Sequence, residues 1–136
     1  MKIAFYLFGL MGLLLLSCGD DDDELANPTQ YDIRYRVTAS GGATVSRIEY
    51  LDESAERVVI LNPTLPWEKS LRIRGGLALE AVAFGDVPFD GEMIIQANWS
   101  PAIDGETAES QNLKNTEPNT VITNGRVDIE GRTLPR

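Results

Sequence analysis

The residue types that this 136-residue sequence lacks narrow its chemistry first. It has no histidine, which removes the usual general base near neutral pH and the commonest transition-metal ligand. Ser-His and Cys-His nucleophile systems are therefore excluded, and so are zinc sites of the usual Cys/His kinds. Carboxylates are plentiful, with 21 Asp and Glu, and two of them at a set separation would suffice to hydrolyse a glycoside. They fall mainly in turns and in one acidic run, so the sequence points to a non-enzyme with no cofactor. That run, Asp20 to Asp23 with Glu24, offers oxygen ligands to calcium but lacks the glycine-bent loop and alternating spacing of a built site. A solvated tether is the simpler reading, and Asp104-Gly105-Glu106 is read as a turn before it is read as a metal site.

Two further sets could touch a ligand or partner. Trp67 and Trp99 could stack on a sugar or an extended partner, although each shares the phase of neighbouring apolar residues, Leu71 and Ile73 for one, Met93 and Ile95 for the other. That phase favours the core. Arg34 and Arg36, with Arg72 and Arg74, project from the outer faces of two expected strands. Side by side, those strands would carry a basic stripe fit for an acidic partner, and cross-strand pairing with Asp and Glu is the simpler outcome.

The elements that must position these side chains are strands. Tyr31 to Thr38 alternates apolar and polar residues throughout, the period of a half-buried strand, with Tyr31, Ile33, Tyr35 and Val37 facing the core. Ala43 to Leu51 follows, and its apolar phase slips between Val45 and Ile48, where a bulge would take up one residue. Arg57 to Leu61 is a short β-branched strand, and Leu65 to Arg74 another. Leu77 to Phe84 is apolar on both sides apart from Glu80, which places it centrally in a sheet. Glu92 to Trp99 groups Met93, Ile95, Ala97 and Trp99 on one face. The polar stretch near 100–118 reads as a long mobile loop. Asn124-Gly125 between two β-prone runs reads as a hairpin turn, and the last residues read as frayed. Seven to eight short strands without helical periodicity predict an all-β antiparallel sandwich over 31–130, with a small β-barrel as the alternative.

The N-terminal segment is of another kind. Lys2 precedes an apolar run from Ile3 to Leu16, which closes on Leu15-Leu16-Ser17-Cys18. As a helix that run would span about 21 Å, short of the ~30 Å hydrocarbon core. This is the pattern of a removable targeting segment. It resembles a bacterial lipoprotein signal peptide, which implies cleavage between Ser17 and Cys18 and acylation of the Cys18 thiol. Residues 1–17 would then be the signal and 18–30 a lipidated, acidic tether. The acidic residues just after Cys18 also resemble the export signal of Bacteroidetes surface lipoproteins. The resemblance implies an outer-membrane, lipid-anchored protein, facing either the periplasm or the cell surface. Loss of Lys2 moves the formal charge from −9 to −10, and such a surface repels phosphate backbones, which excludes nucleic acid as a partner.

A second resemblance covers roughly residues 31–105. Tyr31-x-x-x-Tyr35-x-Val37-Thr38-x-x-Gly41, then Ala43-Thr44-Val45 and Tyr50, then Leu65-Pro66-Trp67-x-Lys69, and last an apolar strand running toward Asp104-Gly105, are similar to the extracytoplasmic domain of the mycobacterial small membrane protein (MmpS-type) transport accessory family. This implies an immunoglobulin-like β-sandwich that assists an export permease. The expectation is thus a lipid-anchored envelope module acting through protein contacts, a transport accessory in its narrower form. The alternative is a surface glycan- or ligand-binding lipoprotein using Trp67 or Trp99.

Overall fold

The computed structural model describes residues 29–136. The signal, Ser17, Cys18 and the acidic run lie outside the described residues. The described residues form eight strands: β1 (Gln30–Ser40), β2 (Thr44–Leu51), β3 (Arg57–Leu61), β4 (Trp67–Arg74), β5 (Ala78–Pro88), β6 (Glu92–Ile103), β7 (Glu106–Lys114) and β8 (Val121–Thr133). They form two antiparallel four-stranded sheets, β4-β1-β6-β7 and β3-β2-β5-β8. The sheets stack without closing on themselves, so the molecule is a β-sandwich and not a barrel. In an immunoglobulin sandwich one sheet runs A-B-E-D and the other carries C, F and G, with C′ beside C in variable-type domains. Here β4-β1 and β3-β2-β5-β8 lie as E-B and C′-C-F-G do, and β6 sits beside β1 where A would be.

The alternation in β1 does what its period dictates. Tyr31, Ile33, Tyr35 and Val37 are buried, and the intervening residues from Gln30 to Arg36 are exposed. Facing residues from β2, β4, β5, β6 and β8 complete one core that includes Ile48, Ile73, Leu79, Ile95 and Ile129. The bulge expected in β2 is present, since the register against β5 shifts between Val45 and Arg47. β5 is an interior strand, as its two apolar sides require. Its Gly85 sits where the backbones converge, and a Cβ there would lie 1.8 Å from the Thr44 carbonyl oxygen.

Three expectations need correction. The segment expected as a mobile loop near 100–118 holds β7 and the end of β6, joined by a two-residue turn at Asp104 and Gly105, both with positive φ. β7 escaped notice because it is an edge strand, polar on both faces, with only Glu109 and Leu113 half-buried. Asn124-Gly125 does not reverse the chain. Between Gly85 and Val87 of β5, β8 runs from Gly125 back to Ile122 and holds one extra residue. Asn124 takes φ 50° there and its N–H donates to Asp86 Oδ1 at 2.8 Å, so the left-handed preference makes a bulge within one long strand. The C-terminal residues are not frayed. Leu134 is buried, its N–H donates to the Leu77 carbonyl at 2.9 Å, and its own carbonyl accepts from Gly76 at 2.8 Å.

Candidate functional site

The two tryptophans are structural to different degrees. Trp99 is 3% exposed, its indole N–H donates to the Glu106 carbonyl at 2.8 Å, and the Arg132 guanidinium lies 4.8 Å above its ring. Arg132 also reaches Glu106 at 2.7 Å and Glu109 at 3.5 Å, so Trp99 anchors a clamp from β8 onto β7. Trp67, at the start of β4, is half-buried and tilted against Tyr50 at 5.6 Å, and Tyr50 in turn lies 6.4 Å from Tyr35. Neither indole forms an open stacking platform.

The arginines do share one face, because β4 pairs with β1. Two carboxylates partly neutralise the stripe in place, and no ion pair reaches Arg74 among the described residues. Arg34 contacts Glu68 at 2.5 Å, Arg36 reaches the same carboxylate at 3.5 Å, and Arg72 Nε donates to Asp32 at 2.8 Å. The hydrogen bond from Arg34 holds the Glu68 carboxyl below its ordinary range, and Asp32 raises the guanidinium of Arg72. A shallow concavity of about 670 Å³ lies over this face, with Asp32, Arg34, Ser70, Arg72 and Asn98 among its lining residues. Among the described residues, no three Asp, Glu, Cys or His side chains are grouped to hold a metal ion.

The surface that stands out is an edge. A sheet edge presents unpaired N–H and C=O groups, and proteins blunt it with inward charges, bulges or prolines. Three of the four edges here are blunted. β4 turns Lys69 toward the interior, opposite Tyr35 and 6.0 Å from the Tyr50 ring. β7 turns Glu109 inward opposite Ala97. β8 carries two register shifts against β5. β3 has no inward charge, bulge or proline within it, and shortness, at five residues, is its one such device. Among the described residues its five residues pair only with β2, Val58 and Ile60 pack on the core, and Val59 and Leu61 point outward at 48% and 68% exposure. Arg57, its one charged side chain, is tied to Glu49 at 3.0 Å and Glu80 at 2.5 Å. These two carboxylates raise its pKa, Glu80 contributing most.

The ladder fixes which backbone groups are free. Asn62 N–H donates to the Ser46 carbonyl at 2.8 Å, and Asp52 N–H donates to the Glu56 carbonyl at 3.0 Å. Bonded pairs alternate along an antiparallel ladder. The even-numbered residues of β3 therefore bond to β2, and the N–H and C=O of Arg57, Val59 and Leu61 face away. Sequence reading recognised Arg57 to Leu61 as a strand. Its position at an edge depends on strand order, which residue pattern does not encode.

Compared with known proteins, the chain matches no protein-family model and no curated protein.

Proposed function

We propose that this chain is a lipid-anchored, non-catalytic module of the bacterial envelope that works by binding other protein, with Cys18 as the anchor and the β3 edge as the contact. The observation that carries the reading is the β3 edge itself, a run of free backbone donors and acceptors flanked by the exposed side chains of Val59 and Leu61. Edges of this kind take an added strand, with main-chain hydrogen bonds giving affinity and alternate side chains giving selectivity. The signal-like N-terminus and the similarity to the transport accessory family support an envelope location. Service to an export permease is the narrower form of the proposal.

The test is photo-crosslinking in living cells from a benzoylphenylalanine placed at position 61 of the full chain, with Cys18→Ala alongside. The proposal predicts crosslinked protein in the membrane fraction, and loss of both the membrane fraction and the crosslink in Cys18→Ala. Failure to recover any protein from position 61, or unchanged membrane retention of Cys18→Ala, refutes it.

A further inference from the structure

We infer that the partner at the β3 edge is a second copy of this chain, joined antiparallel about a two-fold axis at Val59; the inference rests on the protein-contact reading above. The free backbone groups belong to Arg57, Val59 and Leu61, so a two-fold at Val59 sets Val59 opposite Val59 of the second copy. It also sets each Arg57 opposite the other copy's Leu61. In an antiparallel ladder, facing residues of this class exchange both N–H···O bonds. Every free donor and acceptor of β3 is then satisfied, and β3-β2-β5-β8 becomes one half of a continuous eight-stranded sheet.

The side chains fit the same operator. The two Val59 side chains meet at the axis, and each Leu61 covers the aliphatic stem of an Arg57 whose guanidinium is already tied down by Glu49 and Glu80. A contact of this kind is isologous, since the patch complements itself and the assembly closes at two copies. Two copies of a chain with formal charge −9 repel each other, and β3 adds little to that repulsion because its single charge, Arg57, is already paired with Glu49 and Glu80. Asn62, at φ 48°, and Pro63 end the strand, so the shared ladder is confined to residues 57–61. A five-residue junction is small, and tethering on one membrane through Cys18 would raise the effective concentration at which the copies meet.

The experiment places cysteine at position 59 of the full chain (Val59→Cys), with Ala108→Cys on the exposed edge strand β7 as the comparison. A short bis-maleimide is added to cells or membranes. The inference predicts a doubling of the mature chain's mass at position 59, with only this chain in the product, and no doubling at position 108. Adding Leu61→Lys to Val59→Cys abolishes the doubled product, while the unchanged far-ultraviolet circular dichroism of this exposed substitution shows that the fold is kept. Equal yields at 59 and 108, or a yield indifferent to Leu61→Lys, overturn self-pairing. A product at 59 containing only other envelope proteins overturns self-pairing and leaves the protein-contact reading standing. No product of any kind at 59 removes both.

Discussion

Removing a hydroxyl from the middle of the core should make this protein more stable. Tyr35 is fully buried at the centre of β1, and its hydroxyl has no hydrogen-bond partner. The Glu80 backbone lies close to it without meeting hydrogen-bond geometry. A buried hydroxyl left without a partner costs about 1–3 kcal/mol in mutational series. Tyr35→Phe removes that cost, keeps the ring and its contact with Tyr50 at 6.4 Å, and leaves a gap of a single oxygen atom. The net expectation is a gain of about 1 kcal/mol, read as a higher urea midpoint at unchanged slope. Burial also raises the Tyr35 pKa above its ordinary value. Folded and unfolded chains both hold that proton below about pH 10, so this group leaves stability flat there. Above pH 10 the unfolded chain ionises first, and wild-type stability falls by up to about 1.4 kcal/mol per pH unit until the raised folded value is reached. The advantage of Tyr35→Phe should therefore widen from pH 10 upward. A substitution that lowers stability by 1 kcal/mol or more at pH 7, or an advantage that does not change above pH 10, would refute the reasoning and mean that the hydroxyl is bonded.

Two further substitutions test the segments that the sequence concealed. Asn115 is a buried polar side chain that staples the β7–β8 connection: its Nδ2 donates to Val87 at 3.0 Å and Thr120 at 3.1 Å, and its Oδ1 accepts from Glu117 N at 3.0 Å and Thr120 Oγ at 3.2 Å. At about 1 kcal/mol per bond, Asn115→Ala should cost about 2–4 kcal/mol in urea denaturation, and a cost under 1 kcal/mol would mean that the segment is loose. Leu134→Ala should cost about 2–5 kcal/mol as a large-to-small change in a packed site, whereas a frayed C-terminus would give no change in midpoint.

Alternation made most of the sandwich legible. β1 and β6 each present a clean apolar face to one core, so their residues predict both the strand and its buried side. The slip between Val45 and Ile48 even gave away a bulge. Where the pattern failed, backbone physics had taken over from side-chain burial. β7 is held by its ladder to β6 and by the Arg132 ion pairs rather than by an apolar face, so nothing periodic marks it. The left-handed preference of Asn124-Gly125 is legible in the sequence and its use is not, because a left-handed residue serves a bulge as well as a hairpin. The same limit applied to the candidate site. Trp67, Trp99, Arg34 and Arg36 stand out by type, and the structure ties the indoles into packing and the arginines into ion pairs. Val59 and Leu61 are ordinary strand residues that become notable only once β3 lies at an edge with no described strand on its outer side.

The most direct measure of that edge is amide hydrogen exchange across residues 57–61 by mass spectrometry, comparing the protein in its native membranes with the same protein dilute in detergent. If the edge is where the protein binds, the N–H groups of Arg57, Val59 and Leu61 exchange slowly in the membrane and fast in dilute detergent, while β1 is equally protected in both. Equal, fast exchange of the β3 segment in both settings would mean that nothing adds to this edge, and the account of how the protein acts would be wrong.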